Sequence, residues 1–135
     1  MVGLLIITHC RLGKELLEAA EFILGSIQNA DYVSIDNPQD SATVRKLIEE
    51  KIRSLNRGNG VLVLTDMFGG TPSNLALSFL QQGAVEVVTG VNLPMVIAVA
   101  QNREQSNLPQ IADIAKNAGC RSISLASELL KPNST

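Results

Sequence analysis

Aromatic side chains are scarce in this chain. They account for 3% of its 135 residues, with three phenylalanines, one tyrosine and no tryptophan. A stacked flavin would lack its usual aromatic partners. Charge of one sign is also missing. The 11 Lys and Arg residues stand against 13 Asp and Glu, for a formal net charge of -2, and the basic residues are scattered singly. That pattern lacks the electrostatic footprint of a nucleic-acid binder and the polybasic run that anionic membranes attract. Only two cysteines occur, Cys10 and Cys120. They lie far apart with no C-x-x-C, which argues against a disulfide framework and a zinc site, and the simpler setting is a reducing cytosol. His9 is the only histidine. One His with one Asp is too small a donor set for a metal. The opening Met1–His9 lacks a basic n-region, and its apolar run is too short for a secretory leader or a membrane span. Neither end carries a lipidation or sorting signal that stands out. G-x-x-x-x-G-K-[ST], a G-x-G-x-x-G after a strand and G-x-S-x-G are absent, which removes the P-loop, dinucleotide and hydrolase-elbow readings. The expectation is a cytoplasmic protein with no cofactor and no metal.

What is present is apolar sequence in short, ordered pieces. Hydrophobic residues reach 45% and charged residues 18%. A chain of this length and composition buries enough surface for one core, so residues 1–135 are read as a single domain. Gly3–Thr8, Tyr32–Ile35, Val61–Leu64 and Val85–Thr89 read as strands, the third most clearly, because each is a short apolar or β-branched run bounded by polar residues or glycine. Helical periodicity falls between them. Leu12, Leu16, Ala20, Ile23 and Leu24 form a stripe over 12–24 that stops at Gly25. Val44, Leu47, Ile48, Ile52 and Leu55 form another, opened by Asp40 or Ser41 after the loop Asp36–Asp40. Thr71 reads as an N-cap with Pro72 as the first helical residue of a helix that buries Leu75, Ala76, Phe79 and Leu80 and ends near Gly83. Pro94 starts a helix to about Asn102, and Pro109 to Ala118 is another, with Gly119 as its stop. Arg121–Leu125 reads as a last, weaker strand, and Pro132–Thr135 as a frayed tail. The alternation predicts an α/β three-layer sandwich with a mainly parallel sheet, and the flavodoxin-like order 2-1-3-4 leads at this size.

In an open parallel sheet, ligands bind beyond the carboxyl ends of the strands where the winding reverses. For the order 2-1-3-4 that point lies between the first and third strands. Thr8-His9-Cys10 leaves one of them and Thr65-Asp66-Met67 the other, so the topology brings His9 towards Asp66. A carboxylate that accepts the Nδ1 proton fixes the imidazole tautomer and leaves Nε2 as a nucleophile, suited to proton transfer or to attack on phosphorus. Gly69-Gly70-Thr71-Pro72 leads into a helix whose free amides, with the Thr71 hydroxyl, suit an anion. Phosphoryl transfer needs such positioning and charge stabilisation above all. Each feature also has a plainer use: a surface histidine, an aspartate capping a turn, a tight Gly-Gly turn. Together they put a nucleophile, an orienting carboxylate and an anion cradle at one crevice. Cys10 beside His9 and Asn92 with Pro94 after the fourth strand are candidates for the rim. A small thiol or a simple turn serves equally well there.

Three ordered stretches carry a resemblance. Leu5–His9, Asp66–Asn74 (Asp-Met-Phe-Gly-Gly-Thr-Pro-Ser-Asn) and Val85–Met95 together resemble the mannose-type IIA component of the phosphoenolpyruvate-dependent sugar phosphotransferase system, over nearly the whole chain to about Ala118. The resemblance implies a flavodoxin-like sheet and a homodimer that exchanges a C-terminal strand, for which Arg121–Leu125 is the matching segment. It makes His9 the phosphorylated histidine, Asp66 its orienting aspartate and Thr71 the active-site hydroxyl. It implies that phosphate arrives from the histidine-containing phosphocarrier protein and leaves to a histidine on a separate IIB component, with a membrane involved only indirectly through a permease. The family usually has Gly after the histidine; this chain has Cys10, whose side chain is expected either to narrow the phosphate's approach or to perturb docking, and to make the site sensitive to oxidation. Two other outputs fit the same chemistry: a regulatory module read out by another protein, and the phosphocarrier subunit of a dihydroxyacetone kinase system. The Gly69–Asn74 run fits the mannose type better.

Overall fold

The computed structural model describes residues 1–36 and 40–132. Part of the Asp36–Asp40 loop and most of the Pro132–Thr135 tail therefore lie outside the described residues. Four strands, β1 (Gly3–His9), β2 (Ala30–Ile35), β3 (Val61–Thr65) and β4 (Val85–Thr89), form one sheet in the order β2-β1-β3-β4, and every pair is parallel. The helices are α1 (Leu12–Leu24), α2 (Ser41–Leu55), α3 (Thr71–Leu77), α4 (Leu93–Asn102), α5 (Leu108–Arg121) and the short α6 (Ala126–Leu129). The expected α/β sandwich and strand order are those observed. No helix among the described residues is long and apolar enough to cross a membrane.

The continuous apolar runs of β1 and β3 follow from burial on both faces, since successive side chains alternate between them. Leu4, Ile6, Leu62 and Leu64 pack against Leu17 and Ala20 of α1, Met95, Val96 and Val99 of α4, and Ile111 and Ala115 of α5. Leu5, Ile7, Val61 and Val63 face the other way, into the core with Ile48 and Leu55 of α2 and Ala76 of α3. Leu4, Leu5, Ile6 and Ile7 have no exposed surface. Each such side chain contributes roughly 1.5–3 kcal/mol by leaving water, so the centre of the sheet dominates stability.

Several expectations shift. In α1 the buried positions are Gly13, Leu17 and Ala20, while Leu12, Ile23 and Leu24 are exposed. The helix phase is set by close approach at Gly13, where a Cβ would meet Ile6 Cγ2 at 3.1 Å and Thr8 Oγ1 at 3.2 Å. Leu47 of α2 is likewise exposed. Helix α3 ends at Leu77 rather than near Gly83, and Leu80 is exposed. The chain must turn into β4 there, and Gln81 and Val85 exchange backbone hydrogen bonds across the turn. Gly119 does not stop α5. It is the contact point with α4, where a Cβ would lie 2.6 Å from Met95 Cε. Helix α5 runs on to Arg121, and Ser122–Leu125 forms no strand. The alternation of Ser122, Ile123, Ser124 and Leu125 has the period of a strand, but the segment pairs with no strand among the described residues of this one chain, and backbone pairing is what makes a strand.

Candidate functional site

Strand β1 pairs with β3 as far as Ile7 opposite Thr65, and with β2 as far as His9 opposite Ile35. It thus extends past the end of β3, and His9 overlooks the gap that Asp66 enters. The two side chains, 57 positions apart in sequence, meet with Nδ1 2.7 Å from Asp66 Oδ2. The same oxygen accepts the His9 backbone N–H at 2.9 Å, while Oδ1 accepts the Met67 N–H at 3.0 Å. An ionised carboxylate can only accept, so Nδ1 carries the proton and Nε2 presents its lone pair. The His9 side chain is 47% exposed and that of Asp66 is 11% exposed: the imidazole faces solvent while the carboxylate bonded to it is held inside. Burial pushes the Asp66 carboxyl up, but hydrogen bonds and charge from His9, with the Met67 N–H, outweigh it and hold the group below its ordinary value of 3.8. It is fully ionised at neutral pH.

The other side of the ring faces the turn into α3. A Cβ on Gly70 would lie 2.8 Å from His9 Cε1 and 3.2 Å from Nε2, so only glycine lets the backbone come this close. Gly70, not Thr71, occupies the N-cap position; Thr71 is the first helical residue, Pro72 the second, and no side chain caps the helix. The Gly70 and Thr71 amides have no partner among the described residues, and Thr71 is partly exposed beside them. The Gly69 amide is not available in the same way, because it donates to Ser73 Oγ at 2.9 Å. The start of α1 is also partly committed: the buried Thr8 hydroxyl accepts the Gly13 N–H at 2.7 Å.

The structure thus brings His9, Asp66, Gly70 and Thr71 together. Cys10 follows at the surface in a left-handed conformation, φ 50°, its N–H bonded to Ile35 O. Asn92 serves elsewhere. Its Oδ1 accepts the Met95 N–H at 3.1 Å and so caps α4, while its Nδ2 donates to Gly119 O at 3.1 Å and Ser122 Oγ at 3.2 Å. That side chain clasps α4 to the end of α5. The residue that sequence reasoning missed is Ser73, fully buried under the Gly69–Gly70 turn. A usable signal existed: a hydroxyl at the third helical position is placed to reach back to the backbone ahead of the helix, as in a capping box. Among the described residues no group of three His, Cys, Asp or Glu side chains gathers as metal ligands.

The chain as a whole has counterparts among known proteins. A family model described as EIIA-man, PTS system fructose IIA component, matches residues 3–116. The fructose-specific EIIA component of Bacillus subtilis (strain 168) is 28% identical over 132 residues, covering 97% of this chain and 90% of that protein. The mannose-specific EIIAB component of Escherichia coli (strain K12) is 29% identical over 104 residues, or 76% of this chain, which spans only 32% of that longer relative. Among solved structures, the mannose/sorbose specific IIA subunit from Enterococcus faecalis aligns with a TM-score of 0.81 at 26% identity, covering 92% of this chain and 93% of that one. An EIIA component from Streptococcus agalactiae shares the fold, with a TM-score of 0.85 at 22% identity over 94% of this chain and 98% of that one. With most of its length matched, the chain belongs to the mannose-type IIA family of the sugar phosphotransferase system.

Proposed function

We propose that this protein is a phosphoryl carrier that accepts a phosphoryl group on Nε2 of His9. The observation that carries the reading is the 2.7 Å contact between Nδ1 and Asp66 Oδ2, which leaves Nε2 as the free nucleophile at the exposed face. In the transfer, the Nε2 lone pair forms a bond to phosphorus as the bond between phosphorus and the donor's nitrogen breaks, and the electron pair of that bond returns to the donor. Asp66 stabilises the positive charge on the ring while Nδ1 keeps its proton. The Gly70 and Thr71 amides and the Thr71 hydroxyl hold the phosphoryl oxygens. The donor is the histidine-containing phosphocarrier protein. The acceptor is a IIB component, in a cytoplasmic relay that ends at a sugar permease.

A homodimer fits the same reading. Among the described residues strand β4 pairs with only one other strand, β3, and apolar Ile123, Leu125, Leu129 and Leu130 are exposed in the segment that follows α5. A second copy would cover both.

The test is reconstituted transfer from phosphoenolpyruvate through enzyme I and the phosphocarrier, read by intact mass before and after mild acid. One acid-labile phosphoryl group is expected on the wild type and none on His9→Ala. Full labelling of His9→Ala would sink the assignment.

A further inference from the structure

Met67 and Phe68, the two side chains between Asp66 and the glycines, are exposed, 54% and 71%, so packing does little to hold this turn. Two successive glycines would otherwise leave it the freest stretch near the site, because glycine loses most conformational freedom on ordering. Gly69 also sits in the left-handed region, φ 95°. Yet Gly70 lies so close to the His9 ring that a Cβ there would fall 2.8 Å from Cε1, so a shift of this turn alters the surroundings of Nε2 directly.

Ser73 resolves the conflict. It has no exposed surface, and its hydroxyl makes two bonds: it accepts the Gly69 N–H at 2.9 Å and donates to Gly70 O at 3.1 Å. Gly70 O also accepts the Asn74 N–H at 3.0 Å, which ties the same peptide to the body of α3. No other side chain among the described residues bonds the backbone of either glycine. The hydroxyl pins both peptides and takes up the Gly69 amide, while the Gly70 and Thr71 amides have no partner among the described residues.

We propose that Ser73 is a positioning residue for phosphoryl transfer at His9, acting through the Gly69–Gly70 turn without touching the phosphoryl group. The inference rests on the phosphoryl-carrier reading above. A shift of about 1 Å in such a supporting element is enough to lower a transfer rate by about 10²-fold.

The experiment is rapid-quench phosphorylation by the phosphorylated carrier protein, with carrier concentration varied. Ser73→Ala should lower the limiting rate by about 10- to 100-fold with KM for the carrier unchanged, because the docking surface is intact. In a ¹H–¹⁵N spectrum its Gly69 amide should move upfield as the hydrogen bond is lost. Should Ser73→Ala fail to fold, Ser73→Cys keeps a similar shape with a much weaker bond and should show the same split. A limiting rate equal to wild type in a folded variant, or a rise in KM alone, overturns the inference and leaves His9 as the acceptor. A wild type that takes up no phosphoryl group overturns the underlying reading, and this inference with it.

Discussion

At the carboxyl end of the sheet His9 is half exposed, and its Nε2 has no partner among the described residues. At the amino end Arg103, just past α4, is 3% exposed and donates to the carbonyls of Val2 at 3.3 Å, Asn29 at 2.8 Å and Gln28. The first end leaves polar groups open; the second spends them on the backbone. Arg103 draws the start of β1, the turn into β2 and the end of α4 together. That is a stability device: the Val2 carbonyl is buried, and a buried acceptor without a donor is costly, while Nε of Arg103 itself finds no partner among the described residues. A hollow of about 420 Å³, lined by residues including Leu24, Ile27, Ala100 and Arg103, also lies at this amino end and not beside His9. The proposed transfer from protein to protein needs an accessible nucleophile on an open surface, and it has no need of a deep pocket.

Breaking each end separately sharpens the contrast. The largest expected effect on stability comes from Arg103→Met, which should lower the unfolding free energy by about 3 kcal/mol because it removes three hydrogen bonds from a charged donor, one of them to the carbonyl of buried Val2. Urea denaturation measures this, and the folded fraction should still label at the wild-type rate. An unchanged midpoint would show that the amino end is not a lock.

Next comes Asp66→Asn at the other end. An amide can still accept from Nδ1 but brings no negative charge to offset the developing imidazolium. The labelling rate should fall by about 10²-fold, or about 2.7 kcal/mol of barrier. Single-turnover labelling would test it, and a rate within a factor of about two of wild type would remove Asp66 from the transfer step.

The smallest effect is on acid stability. Because the folded-state Asp66 carboxyl is held below 3.8, the stability it contributes is fully present above that pH and is lost as pH falls through the lower folded value. Wild type should therefore lose more stability than Asp66→Asn over that acid range, and thermal melts at successive pH values would show it. Parallel pH curves for the two proteins would contradict it.

Much of the fold was legible because its signals are local. The strands' apolar runs and the helices' stripes follow from periods of two and 3.6, which depend only on neighbours in sequence. The site was half legible. His9 and Asp66 followed from the strand order together with the rule for parallel sheets, whereas the Gly69 amide, grouped with the anion cradle, donates to Ser73, and of the two uses open to Asn92, rim or turn, the structure shows it capping α4. Which way an amide or a side chain turns depends on its partner: Ser73, four residues on, for Gly69, and Gly119 and Ser122, far along the chain, for Asn92. The phase of α1 failed for the same reason, since it was decided by contact of Gly13 with Ile6 and Thr8 rather than by the helix's own hydrophobicity.

The sequence by itself determined the α/β class, the approximate element bounds and the residue types on offer for chemistry, because propensity and periodicity act over a few residues. Only the tertiary structure decided the 2.7 Å meeting of His9 and Asp66, the burial of Arg103 and the lack of a fifth strand among the described residues. Each of these joins groups that are remote in sequence, or leaves a segment without a neighbour. Contacts of that kind are set by sheet register, close packing and backbone hydrogen bonding across the whole chain.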